Sequence, residues 1–170
     1  MFSYKTAVAL KKHGFTNIRI YNGGLKDWEK SGYEIEVRNP LPEYEGKYMD
    51  AQELMTLISR AETQGCRGPD GNPLFTLLDY RTELANNSGE NMQVIKTNCP
   101  KLIMHLDDFA DPAQRGLIPR KGLVVLVCET GNRDPFAMRY LYSHGYDNVA
   151  GLRFGMRAWI KADYAVEEYH

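Results

Sequence analysis

The sequence lacks several features that would place it in a large functional class. No apolar run approaches the roughly 20 residues that span a bilayer, and lysines interrupt the N-terminus where a signal peptide has its apolar core. With 21 Lys and Arg against 22 Asp and Glu, the net charge of −1 gives no basis for binding nucleic acid or an anionic membrane. We therefore expect neither partner and predict a cytoplasmic protein, an assignment that an export signal upstream of Met1 would change.

Cysteine is scarce, and its number is odd. Cys66, Cys99 and Cys128 stand far apart, which favours reduced thiols over a disulfide scaffold. No set of His, Cys and carboxylate residues has the spacing of a zinc site, so we expect no metal and no other cofactor. We interpret Cys66, in a predicted exposed loop over 64–73, and Cys99 as structural or incidental.

Cys128 ends the strongest strand pattern of the chain. Residues 123–127, Leu-Val-Val-Leu-Val, predict a buried strand, and Asp134 and Pro135 are typical of an N-cap and the first residue of a helix. A short loop between a strand and a helix N-terminus turns backbone N–H groups inward and favours negative charge, including a thiolate. The candidate anion-binding loop consists of Cys128, Glu129, Thr130, Gly131, Asn132 and Arg133.

The remaining periodicity predicts alternating strands and helices. This alternation favours an α/β fold with a mainly parallel sheet and helices on both faces. The predicted strands are 17–21, 74–78, 102–106, 123–127 and 148–151. The predicted helices are 3–13, 25–31, 51–61 (capped by Asp50 and Glu53), 135–144 and 156–162, with a short helical turn at 92–95 and another around Phe109.

The loop resembles the active-site loop of rhodanese-type sulfurtransferases. Four residues separate Cys128 from Arg133, whereas the similar loops of cysteine phosphatases have five. A second strand pattern ends at Asp79-Tyr80-Arg81, which resembles the Asp-x-Arg of rhodanese-like domains. The resemblance implies a rhodanese-like fold, with Cys128 as the nucleophile, Arg133 as a site residue, and Asp79 and Arg81 as a supporting ion pair. After Arg81 about twenty residues depart from the family pattern, so it assigns no substrate contacts there.

A second feature is an internal match at an offset of 131 residues, from 13 to 144. His-Gly-Phe-Thr-Asn-Ile at 13–18 matches His-Gly-Tyr-Asp-Asn-Val at 144–149, and Trp28 falls on Trp159. We interpret this as a repeat: residues 1–38 as the C-terminal half of a first rhodanese-like copy, 39–47 as a linker, and 48–170 as a complete domain. Both tryptophans are expected to anchor a core. We favour a fragment of a longer tandem protein over a degenerate half, and expect the half-repeat to pack on its own chain or on a second copy.

The predicted activity is a two-step transfer of sulfane sulfur through a Cys128 persulfide, from a small donor or a protein persulfide to a thiol acceptor. Glu129 and Asp134 put negative charge at the loop, which predicts weak use of dianionic thiosulfate and better use of a persulfide. Two alternatives stay open. One is a non-catalytic rhodanese-like module that binds a partner or senses redox state. The other is a cysteine phosphatase or arsenate reductase, against which the loop length argues.

Overall fold

The computed structural model describes residues 2–81 and 92–169. The chain forms two compact units, Met1–Pro40 and Leu41–His170. The sequence Asn-Asn-Ser-Gly at 86–89 predicts a loop, which lies outside the described residues, as does about half of the stretch after Arg81 that departs from the family pattern.

The smaller unit contains two helices, α1 (Phe2–Lys12) and α2 (Gly24–Lys30). None of its described side chains, residues 3–40, is buried. The strand predicted at 17–21 is absent, because a strand needs a partner for its backbone hydrogen bonds and the described part of this unit contains no other strand. The prediction that Trp28 anchors a core is also wrong, since Trp28 is 38% exposed.

The larger unit contains seven strands and several helices within its described residues. In chain order these elements are β1 (Lys47–Met49), α3 (Ala51–Glu62), β2 (Phe75–Asp79), β3 (Met92–Ile95), β4 (Lys101–Ile103), a 3-10 helix (Leu106–Ala110), α4 (Pro112–Arg115), β5 (Leu123–Val127), α5 (Asp134–Ser143), β6 (Val149–Leu152), α6 (Gly155–Lys161) and β7 (Val166–Tyr169). Five of the strands form a parallel sheet in the order β1-β6-β5-β2-β4, and β3 and β7 form a two-stranded antiparallel sheet.

Helices cover both faces of the parallel sheet, which confirms the predicted fold class. On one face α3 and α6 pack side chains such as Leu54 and Trp159 against Val125. On the other face α5 and the 3-10 helix pack Leu141 and Phe109 in the cluster that contains Leu126 and Cys128. The predicted capping box of α3 is present, since Asp50 and Glu53 each accept the backbone N–H of the other at 2.8 and 2.7 Å.

Three short strands were not predicted. Met92–Ile95 was expected to be a helical turn, and no element was expected over 47–49 or 166–169. Each segment has only three or four residues, too few for a periodicity to distinguish strand from helix. The structure pairs β3 with β7, with Ile95 opposite Val166 and Met92 opposite Tyr169, although these partners are more than 70 positions apart in the sequence.

Cys66 and Cys99 form a disulfide, so the prediction of reduced thiols is wrong for this pair. Cys66 is buried rather than exposed. Its backbone has a positive φ of 62°, and its N–H and C=O bind Ala61 O and Leu74 N at 2.8 and 3.0 Å. These bonds fold the predicted exposed loop back over the core and direct Cys66 to Cys99, 33 residues away. Cys128 is left as the free cysteine.

Candidate active site

The site lies where two neighbouring parallel strands end. In the β2–β5 register Asp79 pairs with Val127, so Tyr80 and Arg81 leave the sheet next to Cys128. The N–H of Tyr80 still donates to Val127 O at 3.3 Å. Ligand sites of parallel α/β sheets commonly form at the carboxyl ends of strands in this way.

The Cys128 sulfur is buried and surrounded by hydrogen-bond donors. Its side chain is 1% exposed. Burial, the largest effect, acts to raise the pKa of the thiol, and the charge of Asp134 acts in the same direction. Interactions with the backbone N–H groups of Thr130 and Arg133 and with the hydroxyl of Tyr80 act in the opposite direction, and together they bring the pKa of the thiol below the ordinary value. The arrangement therefore favours a thiolate.

The loop backbone is held in this arrangement by the start of α6. The N–H groups of Met156 and Arg157 donate to the carbonyl oxygens of Cys128 and Glu129 at 2.8 and 3.2 Å. Gly155 allows the close approach, because a Cβ atom there would overlap the Cys128 carbonyl oxygen. Gly131 adopts the positive φ of 76° that the tight loop requires. With these carbonyls bound by α6, the N–H groups of Thr130 and Arg133 face the sulfur.

The Asp79-Tyr80-Arg81 step connects β2 to this loop through an ion-pair network. Arg81 donates to Asp79 at 2.7 Å and to Glu129 at 3.2 Å, and also to Gln93 O at 2.7 Å. Asp79 and Arg81 are both buried. Burial raises the pKa of Asp79 even though Arg81 acts in the opposite direction. The predicted ion pair is present, and it also holds Glu129.

Glu129 has a second cationic neighbour. The Nε of Arg157 lies 3.5 Å from Glu129 Oε1. The sequence predicts an acidic loop because Glu129 and Asp134 are close to Cys128 along the chain. The fold adds two cationic side chains from distant parts of the sequence, Arg81 and Arg157. Glu129 is therefore a paired carboxylate.

Asp134 differs from the sequence-based expectation. The N-cap position of α5 is occupied by Arg133, and Asp134 is the first helical residue. Its side chain is fully buried and accepts a hydrogen bond from the Tyr80 hydroxyl at Oδ1. Burial raises the pKa of Asp134 to about 7, against the lowering effects of Tyr80 and Arg133. Sequence reasoning missed Tyr80 as a site residue, although its place one residue beyond the strand beside β5 is a usable signal.

The other predicted loop residues lie around the mouth of the loop. Arg133 is half-buried, and its guanidinium carbon lies 5.6 Å from the centre of the Tyr80 ring, a cation–π distance. Asn132 is exposed. A pocket of about 270 Å³ adjoins the loop and is lined by Tyr48, Thr130, Gly131, Asn132, Arg153 and Phe154. The structure thus brings three predicted loop residues to one small concave surface.

Within residues 2–81 and 92–169, no three His, Cys, Asp or Glu side chains are grouped so that they could hold a metal ion. In the same ranges no helix has both the length and the apolar character needed to cross a membrane.

Comparison with known proteins identifies the fold. No family profile and no curated protein sequence matches this chain. Solved structures do match. A rhodanese-related protein from Thermoplasma volcanium is 20% identical, with a TM-score of 0.51 over 71% of this chain and 97% of that one. The polysulfide-sulfur transferase of Wolinella succinogenes is 16% identical, with a TM-score of 0.51 over 72% of this chain and 78% of that one.

A third similar structure carries a different description. A Rhodopseudomonas palustris protein, described as a possible tyrosine phosphatase, is 15% identical, with a TM-score of 0.52 over 89% of this chain and all of that one. At these identities the likenesses define the architecture alone. The chain has a rhodanese-like fold.

Proposed function

We propose that this rhodanese-like chain is a sulfurtransferase that moves sulfane sulfur through a persulfide on Cys128. The observation that carries the proposal is the position of the Cys128 thiol, which is buried at the end of β5 where the Thr130 and Arg133 N–H groups and the Tyr80 hydroxyl lower its pKa. Donors placed in this way stabilise an anionic sulfur both as a thiolate and as a persulfide. The likeness to the Wolinella polysulfide-sulfur transferase supports the same class of reaction.

The reaction has two balanced steps. The Cys128 thiolate attacks the outer sulfur of a donor, a new S–S bond forms, and the donor's inner sulfur leaves with the electrons of the broken bond. An acceptor thiolate then attacks the outer sulfur of the Cys128 persulfide, and the Cys128 thiolate is regenerated. Such covalent catalysis gives ping-pong kinetics. In this proposal Arg133 orients the donor or fixes the loop, and Asp79 and Arg81 support the loop through Glu129.

The donor is proposed to be a persulfide, small or carried by a protein. Glu129 and Asp134 are acidic groups near the thiol, and a dianion such as thiosulfate gains less there than a singly charged persulfide. The pairing of Glu129 with Arg81 and Arg157 reduces this difference. Comparing the two donors therefore measures how far the ion pairs of Glu129 reduce its repulsion of a dianionic donor.

The test is a steady-state assay with a thiol persulfide and with thiosulfate as donors, and cyanide or a thiol as acceptor. We expect parallel double-reciprocal plots with the persulfide, a higher Michaelis constant for thiosulfate, and a lower one in Glu129→Gln. Cys128→Ser is expected to lose transfer completely while Cys66→Ser/Cys99→Ser, the matched control, retains it. Wild-type turnover by Cys128→Ser would overturn the proposal.

Phosphate-ester hydrolysis is the second candidate, because of the likeness to the Rhodopseudomonas protein. The four-residue spacing between Cys128 and Arg133 makes a smaller loop than the phosphatase spacing of five. Hydrolysis of an aryl phosphate that depends on Cys128, without sulfur transfer from any donor, would favour this candidate. If neither reaction depends on Cys128, the non-catalytic module is the better description.

A further inference from the structure

Asp134 is an unusual residue for a protein interior. Its side chain is fully buried at the start of α5. Oδ1 accepts a hydrogen bond from the Tyr80 hydroxyl, and Oδ2 has no hydrogen-bond partner among the described residues. A Cβ atom on Gly151 would approach this oxygen to 2.8 Å, so Oδ2 faces the backbone of β6. A buried carboxylate with one oxygen unpartnered is costly, which favours the neutral acid.

The neighbouring positive charge does not fully offset the cost of burying an ionised Asp134 carboxylate. Arg133 lowers its pKa, but burial has the larger effect and raises it to about 7. Tyr48, from β1, is raised in pKa by its burial and by the charge of Asp134, so it stays a neutral phenol near pH 7. The titratable and charged groups that face Asp134 or its neighbours are Tyr80, Cys128, Arg133, Tyr48 and, 6.0 Å from the Tyr48 ring centre, Arg153.

The Tyr80 hydroxyl lies between the two ionisable groups. It donates a hydrogen bond to Asp134 Oδ1, and its interaction with the Cys128 thiol lowers the pKa of that thiol and raises its own. A phenol has one proton to donate and lone pairs to accept. It can therefore donate to the sulfur or to the carboxylate, but not to both at once.

We propose that Cys128, Tyr80 and Asp134 share one negative charge, and that the protonation state of Asp134 regulates the reactivity of Cys128 through the Tyr80 hydroxyl. When Asp134 is neutral, it donates to the Tyr80 oxygen and Tyr80 donates to the thiolate. When Asp134 is ionised, it takes the Tyr80 hydrogen bond, and the sulfur faces a negative charge without that donor. The importance of this regulation for turnover rests on the sulfur transfer proposed above.

The proton balance is internal. In one direction the Cys128 S–H proton moves to the Tyr80 oxygen as the Tyr80 proton moves to Asp134 Oδ1. Thiol and carboxylate thereby become thiolate and carboxylic acid with no change in total charge. Loss of a further proton to solvent leaves two adjacent negative charges, so the pair titrates in two separated steps.

The first test is the rate of Cys128 alkylation by iodoacetamide as a function of pH. Wild type is expected to rise in two steps, and Asp134→Asn in a single step that is about tenfold faster near pH 8, because the repelling charge is gone. Tyr80→Phe is expected to be slower than wild type by about tenfold at low pH, where Tyr80 serves the sulfur, and by less at high pH. Tyr146→Phe is the matched control: Tyr146 is equally buried, but its hydroxyl donates to Arg115 O at 2.7 Å.

A second measurement compares wild type before and after alkylation. The infrared band of a protonated carboxyl group is expected in wild type near neutral pH and should weaken when Cys128 is alkylated, because the neighbouring negative charge disappears. Asp134→Asn, which should lack the band, serves only to assign it.

Three results would overturn the proposal: a band unaffected by alkylation, the same two-step profile in Asp134→Asn, or a constant ratio of wild type to Tyr80→Phe at every pH. Neither measurement uses a sulfur donor. A protein that passes both tests and yet transfers no sulfur would therefore contradict the proposed function and leave the charge sharing intact.

Discussion

The two stretches related by the 131-residue offset share their turns and a tryptophan hydrogen bond, but their side chains differ in burial. Trp28 donates to Glu34 O at 3.0 Å, and Trp159 donates to the corresponding Ala165 O at 3.1 Å. Trp28 is nevertheless 38% exposed, whereas Trp159 is 1% exposed.

The two stretches also share a turn after the preceding helix, but the aromatic side chain in that turn is exposed in one stretch and buried in the other. Phe15 N binds Leu10 O at 3.1 Å, as Tyr146 N binds Leu141 O at 3.1 Å. Phe15 is 59% exposed and Tyr146 1%.

The comparison separates what a local sequence determines from what its neighbours determine. Helix ends, glycine turns and the tryptophan hydrogen bond recur in both stretches, because they depend on residues within about ten positions of one another. The strand and the buried core form only in the larger unit, where β6 lies beside β5. That residues 1–38 form half of a first repeat, and that this half packs on its own chain or on a second copy, remain predictions.

The largest expected contrast is between the two tryptophans. Trp159→Ala removes a fully buried side chain and should lower the free energy of unfolding of the larger unit by about 3–5 kcal/mol. Trp28→Ala should lower the free energy of unfolding of the smaller unit by about 1 kcal/mol or less, because its ring is not buried. Urea unfolding followed by circular dichroism measures both. Equal losses in the two variants would show that the burial of the tryptophan does not distinguish the two stretches.

The second contrast uses the glycines that begin the corresponding helices. Gly24 and Gly155 have nearly the same φ, 61° and 59°. An alanine at either position strains the backbone by about 1–2 kcal/mol. At Gly155 the added carbon also overlaps the Cys128 carbonyl, which adds about 1–3 kcal/mol and displaces the loop, whereas at Gly24 nothing lies within 4 Å.

Gly155→Ala should therefore lose both stability and sulfur transfer, and Gly24→Ala should keep the activity. The same unfolding experiment and the donor assay measure these effects. An active Gly155→Ala variant would contradict the role given to the contact between α6 and the loop.

The smallest contrast is the pH dependence of the free energy of unfolding to which Asp134 contributes. The position that corresponds to Asp134 in the smaller unit is the exposed Ser3, which does not titrate in this range. The folded pKa of about 7 lies above the ordinary 3.8. The folded state then binds the proton more tightly than the unfolded state, so this contribution to stability is present at low pH and is lost as the pH rises towards 7.

Relative to Asp134→Asn, wild type should lose about 2 kcal/mol of unfolding free energy between about pH 5 and pH 7. Measuring both proteins in urea at several pH values cancels the contributions of other groups. A difference that stays constant with pH would mean that Asp134 titrates normally in the fold.

Much of the fold and part of the site could be predicted because their signals are local. The Leu123–Val127 strand, the Asp50 capping box and the spacing from Cys128 to Arg133 each depend on residues close together in sequence. The apolar pattern then predicted the alternation of strands and helices, and the resemblance to rhodanese-type loops implied a rhodanese-like fold.

What could not be predicted depends on contacts between distant positions. The Tyr80–Asp134 hydrogen bond joins residues 54 apart. An Asp before a Pro at a helix start is also typical of an exposed N-cap, so the sequence pattern favoured the wrong environment. The Cys66–Cys99 disulfide and the β3–β7 pairing likewise join residues that are far apart in the sequence.

The measurement that tests the central claim most directly is mass spectrometry of the protein after exposure to a thiol persulfide and removal of excess donor. We expect the peptide containing Cys128 to gain about 32 Da, one sulfur atom, and to lose it when an acceptor thiol is added. Cys128→Ser should show no gain. A Cys128 peptide of unchanged mass, or a gain confined to the peptides of Cys66 and Cys99, would contradict a persulfide intermediate on Cys128.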